Sequence, residues 1–345
     1  MPSRIRRALG VVVVAAAASV AGAVPLAAQG TPAPAPQVTV GGLVYTQFLY
    51  QLKDTLTPHF NNFDITRAYV NALGKFAGGV GTRVTADIYR NADGSLGYRL
   101  KYAFATYTPE GSQLTYKLGL IHTPWLDWEE ALWDYRMQGQ MAFERGGYVS
   151  AADFGVGVDG KWGADKVNLQ VTVVNGEFYR NPETGQGKDA QARLSVRVMD
   201  TDDPSRVGGL RITGYAAYGK TTAGGARNRY LGMVSYRTKQ LTLAGEAVAT
   251  QDGPLTATNG HVYSAFGVYK VPDSKVAVIG RVDITHKQSG ATDQQTRYIA
   301  GFSYQLTPNW RLLADWDYAN YQTDALNLAN DPTRSQALFQ TQFTF

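Results

Sequence analysis

The chain has 345 residues, no Cys, 37 Gly and 18% charged residues, with a formal charge of +5. That length suits one large domain or two ordinary ones. The lack of Cys removes disulfide frameworks, thiolate metal sites and thiol nucleophiles, and a negative mean hydropathy excludes a bundle of transmembrane helices.

At the N-terminus, Arg4, Arg6 and Arg7 precede an apolar run from Ala8 to Val24, and small Ala27 and Ala28 follow Pro25. This is the order of a secretory signal peptide, residues 1–28, with cleavage expected after Ala28. Without that segment the charge falls to about +2, too small a bias to argue for nucleic acid, and no basic run or base-stacking motif supports such a partner. Residues 29–37, rich in Pro and Ala, read as a flexible N-terminus.

From residue 38 to 345 the sequence breaks into segments of alternating apolar and polar character, separated by Gly, Pro, Asn and Asp clusters. Strands are predicted at 38–52, 65–76, 80–90, 98–108, 113–121, 149–162, 167–175, 190–199, 208–219, 229–237, 240–250, 261–271, 275–286, 295–306, 309–320 and 334–345. Short connections such as 77–79, 163–166, 238–239 and 307–308 follow even strands. Long ones, such as 53–64, 176–188, 251–260 and 321–333, follow odd strands. That alternation is how a transmembrane antiparallel β-barrel separates tight periplasmic turns from external loops. The fold expected is therefore an all-β transmembrane barrel of about 16 strands.

Side-chain parity points the same way. In the last strand Ala337, Phe339, Phe343 and Phe345 share one face, while Arg334, Gln336, Gln340, Gln342 and Thr344 share the other. Large aromatics of the apolar face fall near strand ends, at Trp162, Tyr218, Tyr230, Tyr236, Tyr298, Tyr304, Trp310 and Tyr318, where a barrel needs interfacial girdles. The polar parity, assigned to the lumen, carries Arg67, Lys75, Arg83, Arg99, Lys101, Lys117, Lys161, Arg193, Arg197, Arg211, Arg229, Arg237, Lys275, Arg281, Arg297, Arg311 and Arg334. Its acids are Asp87, Asp153, Asp159, Glu246, Asp283, Asp315 and Asp317. So many ions cannot be buried dry, so the lumen is expected to hold water, and its basic excess to favour small anions.

The connection from His122 to Tyr148 is the longest, and it is the third external one. Asp127 followed by Glu130 reads as a capping box opening a short helix. At helical spacing Trp125, Trp128, Leu132 and Tyr135 share one side, opposite Asp127, Glu130 and Asp134. Folded into the lumen, this loop buries its aromatic side and sets a constriction of Asp127, Glu129, Glu130 and Asp134 against the basic wall. Its acids oppose the charge of that wall, so an unselective or cation-preferring channel is the alternative, as is a closed structural surface barrel.

With its sixteen segments, long third loop, and Phe339, Phe343 and Phe345 at the C-terminus, the chain resembles outer-membrane porins. More narrowly it resembles the phosphate-selective porin O and P family. FDITRAYV at Phe63–Val70, with Arg67, is similar to the family's second strand, and LGLIHTPWLDWEE at Leu118–Glu130 to the strand entering its third loop. The dense loop arginines and lysines of phosphate-specific members have no matching run. The resemblance implies an outer-membrane channel for small hydrophilic or anionic solutes and a homotrimer in outer-membrane lipid. It also implies recognition of Phe345 by the outer-membrane assembly machinery. No enzyme, cofactor or metal is expected. His59, His122, His261 and His286 sit in no recognised catalytic motif, His122 reads as a loop-edge residue, and Asp315 and Asp317 read as a wall salt-bridged to Arg311.

Overall fold

The computed structural model describes residues 35–53, 59–181, 183–220, 224–253, 258–322 and 333–345. The expected signal peptide lies outside these residues, as do parts of the long connections after residues 53, 251 and 321.

Sixteen strands form one closed antiparallel barrel in chain order. They are β1 Gln37–Lys53, β2 Asn61–Lys75, β3 Val80–Arg90, β4 Leu96–Tyr107, β5 Leu114–His122, β6 Ala152–Trp162, β7 Val167–Val174 and β8 Asp189–Met199, followed by β9 Gly209–Tyr218, β10 Arg227–Arg237, β11 Leu241–Asp252, β12 Thr258–Lys270, β13 Val276–His286, β14 Gln295–Thr307, β15 Trp310–Tyr321 and β16 Thr333–Thr344. Closure satisfies the backbone without an open edge, which a wall facing hydrocarbon requires. At the seam β1 pairs with β16: Gly42 N donates to Phe345 O at 2.8 Å, Phe345 N donates to Gly42 O at 3.1 Å, and a Cβ at Gly42 would overlap the Phe345 ring.

The two faces alternate as a lipid-embedded wall demands. Outward residues include Val38, Val40, Leu118, Val156, Ile212, Val234 and Phe302, all exposed, with Tyr218, Tyr230, Tyr298, Tyr304 and Trp310 toward strand ends. Tyr218 packs edge-on against Tyr230 with centroids 5.5 Å apart, and Trp310 against Phe343 at 6.1 Å. The alternation slips at a bulge in β4, where Lys101 is the extra residue opposite Thr85 and Ala86. Lys101 and Tyr102 are consequently both buried on the inside, while Tyr98 and Leu100 stay outside.

Two boundaries differ from the sequence reading for a physical reason. Residues 61–64 look like polar loop but extend β2, because Asn61 pairs with Tyr50 and Phe63 with Phe48 of the still longer β1. The first turn of 149–162 is instead part of the third loop, and β6 starts at Ala152. The alternation of connection lengths also has an exception. Residues 200–208, after the even strand β8, form a long connection that folds inward and buries Val207 in the interior.

Candidate constriction

The third loop lies inside the barrel. Its helix α1, Leu126–Trp133, is followed by a short 3-10 turn at Arg136–Gln138 and by helix α2, Ala142–Arg145. The expected capping box is absent. Trp125 occupies the N-cap in a helical conformation without a side-chain cap, and Asp127 and Glu129 lie in the first turn, where carboxylates meet the positive end of the helix. The helix ends at Asp134 in the left-handed region, φ 58°, donating its N–H to Glu130 O.

The loop is seated by apolar contact. Trp125, Trp128, Leu132, Trp133 and Phe143 are fully buried against Tyr215, Leu231, Met233, Val248, Val262, Phe266, Ile279 and Leu313, which line the inner wall from β9 to β15. Trp133 meets Phe266 edge-on with centroids 5.3 Å apart, and Trp125 lies 5.8 Å from Tyr215. Each buried side chain of this size contributes roughly 1.5–3 kcal/mol. The expectation of a lumen wetted all round is therefore corrected: on the β9–β15 side a dry core fills it.

Glu129 is corrected as well. It is fully buried between helix and wall, accepts Trp125 Nε1 at 2.9 Å, and faces the buried Glu246 carboxyl, so it is no part of an acidic ledge. Burial, opposed chiefly by Arg281, pushes its carboxyl up to about 7.

The other loop acids each have a basic partner. Asp127 pairs with Arg206 at 2.7 Å, Glu130 with Arg136 at 2.6 Å, and Asp134 with Arg311 at 3.3 Å, while Glu144 takes a second bond from Arg136 at 2.8 Å. Burial alone would raise the Asp127 carboxyl, but Arg206 and His122 more than offset it and hold it below the usual range. Burial likewise works against ionised Glu130, and Arg136, Lys101 and Arg67 together pull it below its ordinary value.

Across from this loop, β1–β4 supply the basic residues. Arg67 sits over the Tyr69 ring at 4.7 Å and the Tyr45 ring at 5.9 Å, and Lys101 lies over Tyr69 at 4.7 Å and bonds its hydroxyl. Arg99 lies between Tyr89 and Tyr179, at 5.3 and 5.1 Å. The rings hold the guanidinium groups of Arg67 and Arg99 in place without neutralising them, as a carboxylate would. Asp87 lies among Arg67, Lys101 and Arg99. Among the described residues, none of these three has a carboxylate oxygen within 4.0 Å. Arg67, Arg99, Arg136, Arg180 and Asp87 line a cavity of about 280 Å³ together with Tyr45, Tyr179 and Gln138–Gln140.

The remaining sequence-selected residues occupy other places. Arg83 donates to His122 Nε2 at 2.8 Å and to Asn71 at 3.2 Å, and Lys117 pairs with Asp159. Arg193 and Arg211 are buried beneath the Trp128 ring, at 4.0 and 5.4 Å. Arg281 is locked to Asp283 at 2.7 Å, and Arg145 of the loop joins them at 2.9 Å. Arg197 turns to Asp200 at 3.5 Å, and Lys75 stands exposed at a strand end. Asp317 pairs with Arg297 at 3.1 Å, and Gln138 donates to both Asp315 and Asp317, so the expected partner Arg311 is corrected: it serves Asp134. Arg180, Tyr179 and Arg206 were missed by sequence reasoning. Only the length of 200–208 signals Arg206.

A 16-stranded barrel with an apolar outer band and a third loop folded inside defines the porin architecture. The anion-selective porin of Comamonas acidovorans superposes with a TM-score of 0.68 at 12% identity, over 90% of this chain and 100% of that one. The outer membrane channel DcaP of Acinetobacter baumannii gives 0.61 at 12% identity, over 90% and 97%. The outer membrane protein OmpT of Vibrio cholerae, in its trimer form, gives 0.62 at 12%, over 90% and 100%. No family model matches the chain, and no curated protein matches it by sequence.

Proposed function

We propose that the chain is an outer-membrane channel that passes small hydrophilic solutes by diffusion and prefers anions. The observation that carries this reading is the cavity between loop and β1–β4 wall, where, among the described residues, Arg67 and Arg99 have no carboxylate oxygen within 4.0 Å and outnumber the single wall acid Asp87, while the loop acids are paired. Fixed cations around a narrow aqueous space raise the local anion concentration. The likeness to a protein described as an anion-selective porin supports the same reading, and phosphate is one anion such a site can take. We also propose that residues 1–28 are removed on export, that the segment expected at residues 29–37 precedes the barrel domain up to residue 36, Gln37 already opening β1, that Phe345 is read by the assembly machinery, and that the protein works as a homotrimer without catalytic activity.

The test is the reversal potential of the refolded protein in a planar bilayer across a potassium chloride gradient. A chloride-favouring potential is expected. A potassium-favouring one overturns the anion preference, and an absence of conductance overturns the channel.

A further inference from the structure

The third loop leaves the barrel wall at His122, yet its helix is bonded to residues at the far, short-turn end. Arg237, the last residue of β10, donates to Ala131 O at 2.6 Å, and Arg311, beside the start of β15, donates to Asp134 O at 2.7 Å. The long connection 200–208 adds a third hold: Arg206 Nη2 donates to Asp127 O at 2.6 Å while Nη1 meets Asp127 Oδ2 at 2.7 Å.

That connection is itself braced. Val207 is buried in the interior core. Asp203 accepts Arg237 Nε at 2.7 Å and the Ser205 amide at 2.8 Å, and Arg211 Nε donates to Gly208 O at 3.1 Å. Gly209, at φ 89°, turns the chain sharply into β9. A tight turn at this end would stop at the rim. The extra residues carry a guanidinium up to the first turn of α1.

We propose that the connection between β8 and β9 is a support for the constriction helix, and that Arg206 is a positioning residue which seats α1 from the short-turn side and cancels the charge of Asp127. The proposal rests on the channel reading for its effect on current, but the contact itself does not. Displacing α1 alters the width of the passage against the β1–β4 wall, and releasing Asp127 adds an unpaired carboxylate to it.

The experiment pairs single-channel recording with amide hydrogen exchange of residues 126–133, on wild type, Arg206→Glu and the exchanged pair Asp127→Arg with Arg206→Asp. Because the ion pair is half exposed, reversal is expected to shift the ratio of seated to displaced helix about fourfold. The shift should appear as more time in a higher-conductance level and as faster exchange in α1. The exchanged pair should move both readouts back toward wild type. Unchanged exchange in Arg206→Glu, or an exchanged pair no closer to wild type than the reversal, overturns the proposal. Should the reversal fail to fold, Arg206→Gln takes its place, with the same shift expected at smaller size and the same overturning result. A wild type that passes no current, with exchange still raised in Arg206→Glu, removes the channel reading and leaves the support standing.

Discussion

The inner wall from β9 to β15 and the inner wall from β1 to β4 face the same lumen with different chemistry. The first presents Leu231, Met233, Val248, Phe266, Ile279 and Leu313 and is covered by the third loop. Its charges, such as Arg281 and Asp283, are buried in close pairs. The second presents Arg67 and Arg99 propped on tyrosines around a cavity, with Lys101 buried beside Tyr69. One side is a seat for the loop and the other borders a cavity, the passage of the proposed channel. In the proposed channel, a basic residue on the lumen parity would contribute to selectivity only where nothing covers or neutralises it.

Trp133→Ala should give the largest effect, since removing a fully buried Trp costs about 3–5 kcal/mol. The loop is expected to leave its seat while the barrel persists, giving higher single-channel conductance and a lower thermal unfolding temperature. Equal conductance would break the division into seat and passage. Arg67→Gln combined with Arg99→Gln should come next, shifting the reversal potential toward potassium. Arg297→Gln should shift it less, because Arg297 is already paired with Asp317 on the covered side. A larger shift for Arg297→Gln would reverse the assignment of the two walls.

Glu129 gives a pH test of the seat. Its carboxyl is raised to about 7, chiefly by burial, so the stability it contributes is complete below the ordinary glutamate value and is lost as pH rises through the raised one. Loop docking, read as exchange protection of α1, should weaken from about pH 5 to about pH 8, and Glu129→Gln should flatten that slope. The smallest effect is expected from Lys75→Gln: an exposed charge at a strand end is screened by salt, so the reversal potential should stay near wild type.

The barrel was legible because hydrocarbon on one side imposes a period of two on every strand, and the residues of β15 and β16 show it plainly. What the alternation could not convey is which lumen-facing residues are covered. Leu231, Met233 and Phe266 lie on the polar parity of β10 and β12, and only the folded loop explains them. Glu129 was misplaced because it stands four residues after Trp125 and so shares its helical face. A helix enclosed by core on more than one side does not keep its acids on a single wet face. Arg136 and Arg180 reach the cavity through loop conformations that periodicity does not encode.

The seam between β1 and β16 has a consequence for assembly. Thr46 bonds Thr341 across it at 2.9 Å, a contact between residues 295 positions apart. Loop-closure entropy makes such a distant pairing slow. Until it forms, β1 and β16 each expose a full row of unpaired backbone groups, ready to join a neighbouring chain instead. Closure of the seam is therefore the step at which a growing sheet becomes a sealed cylinder and the hazard of sheet-to-sheet aggregation ends.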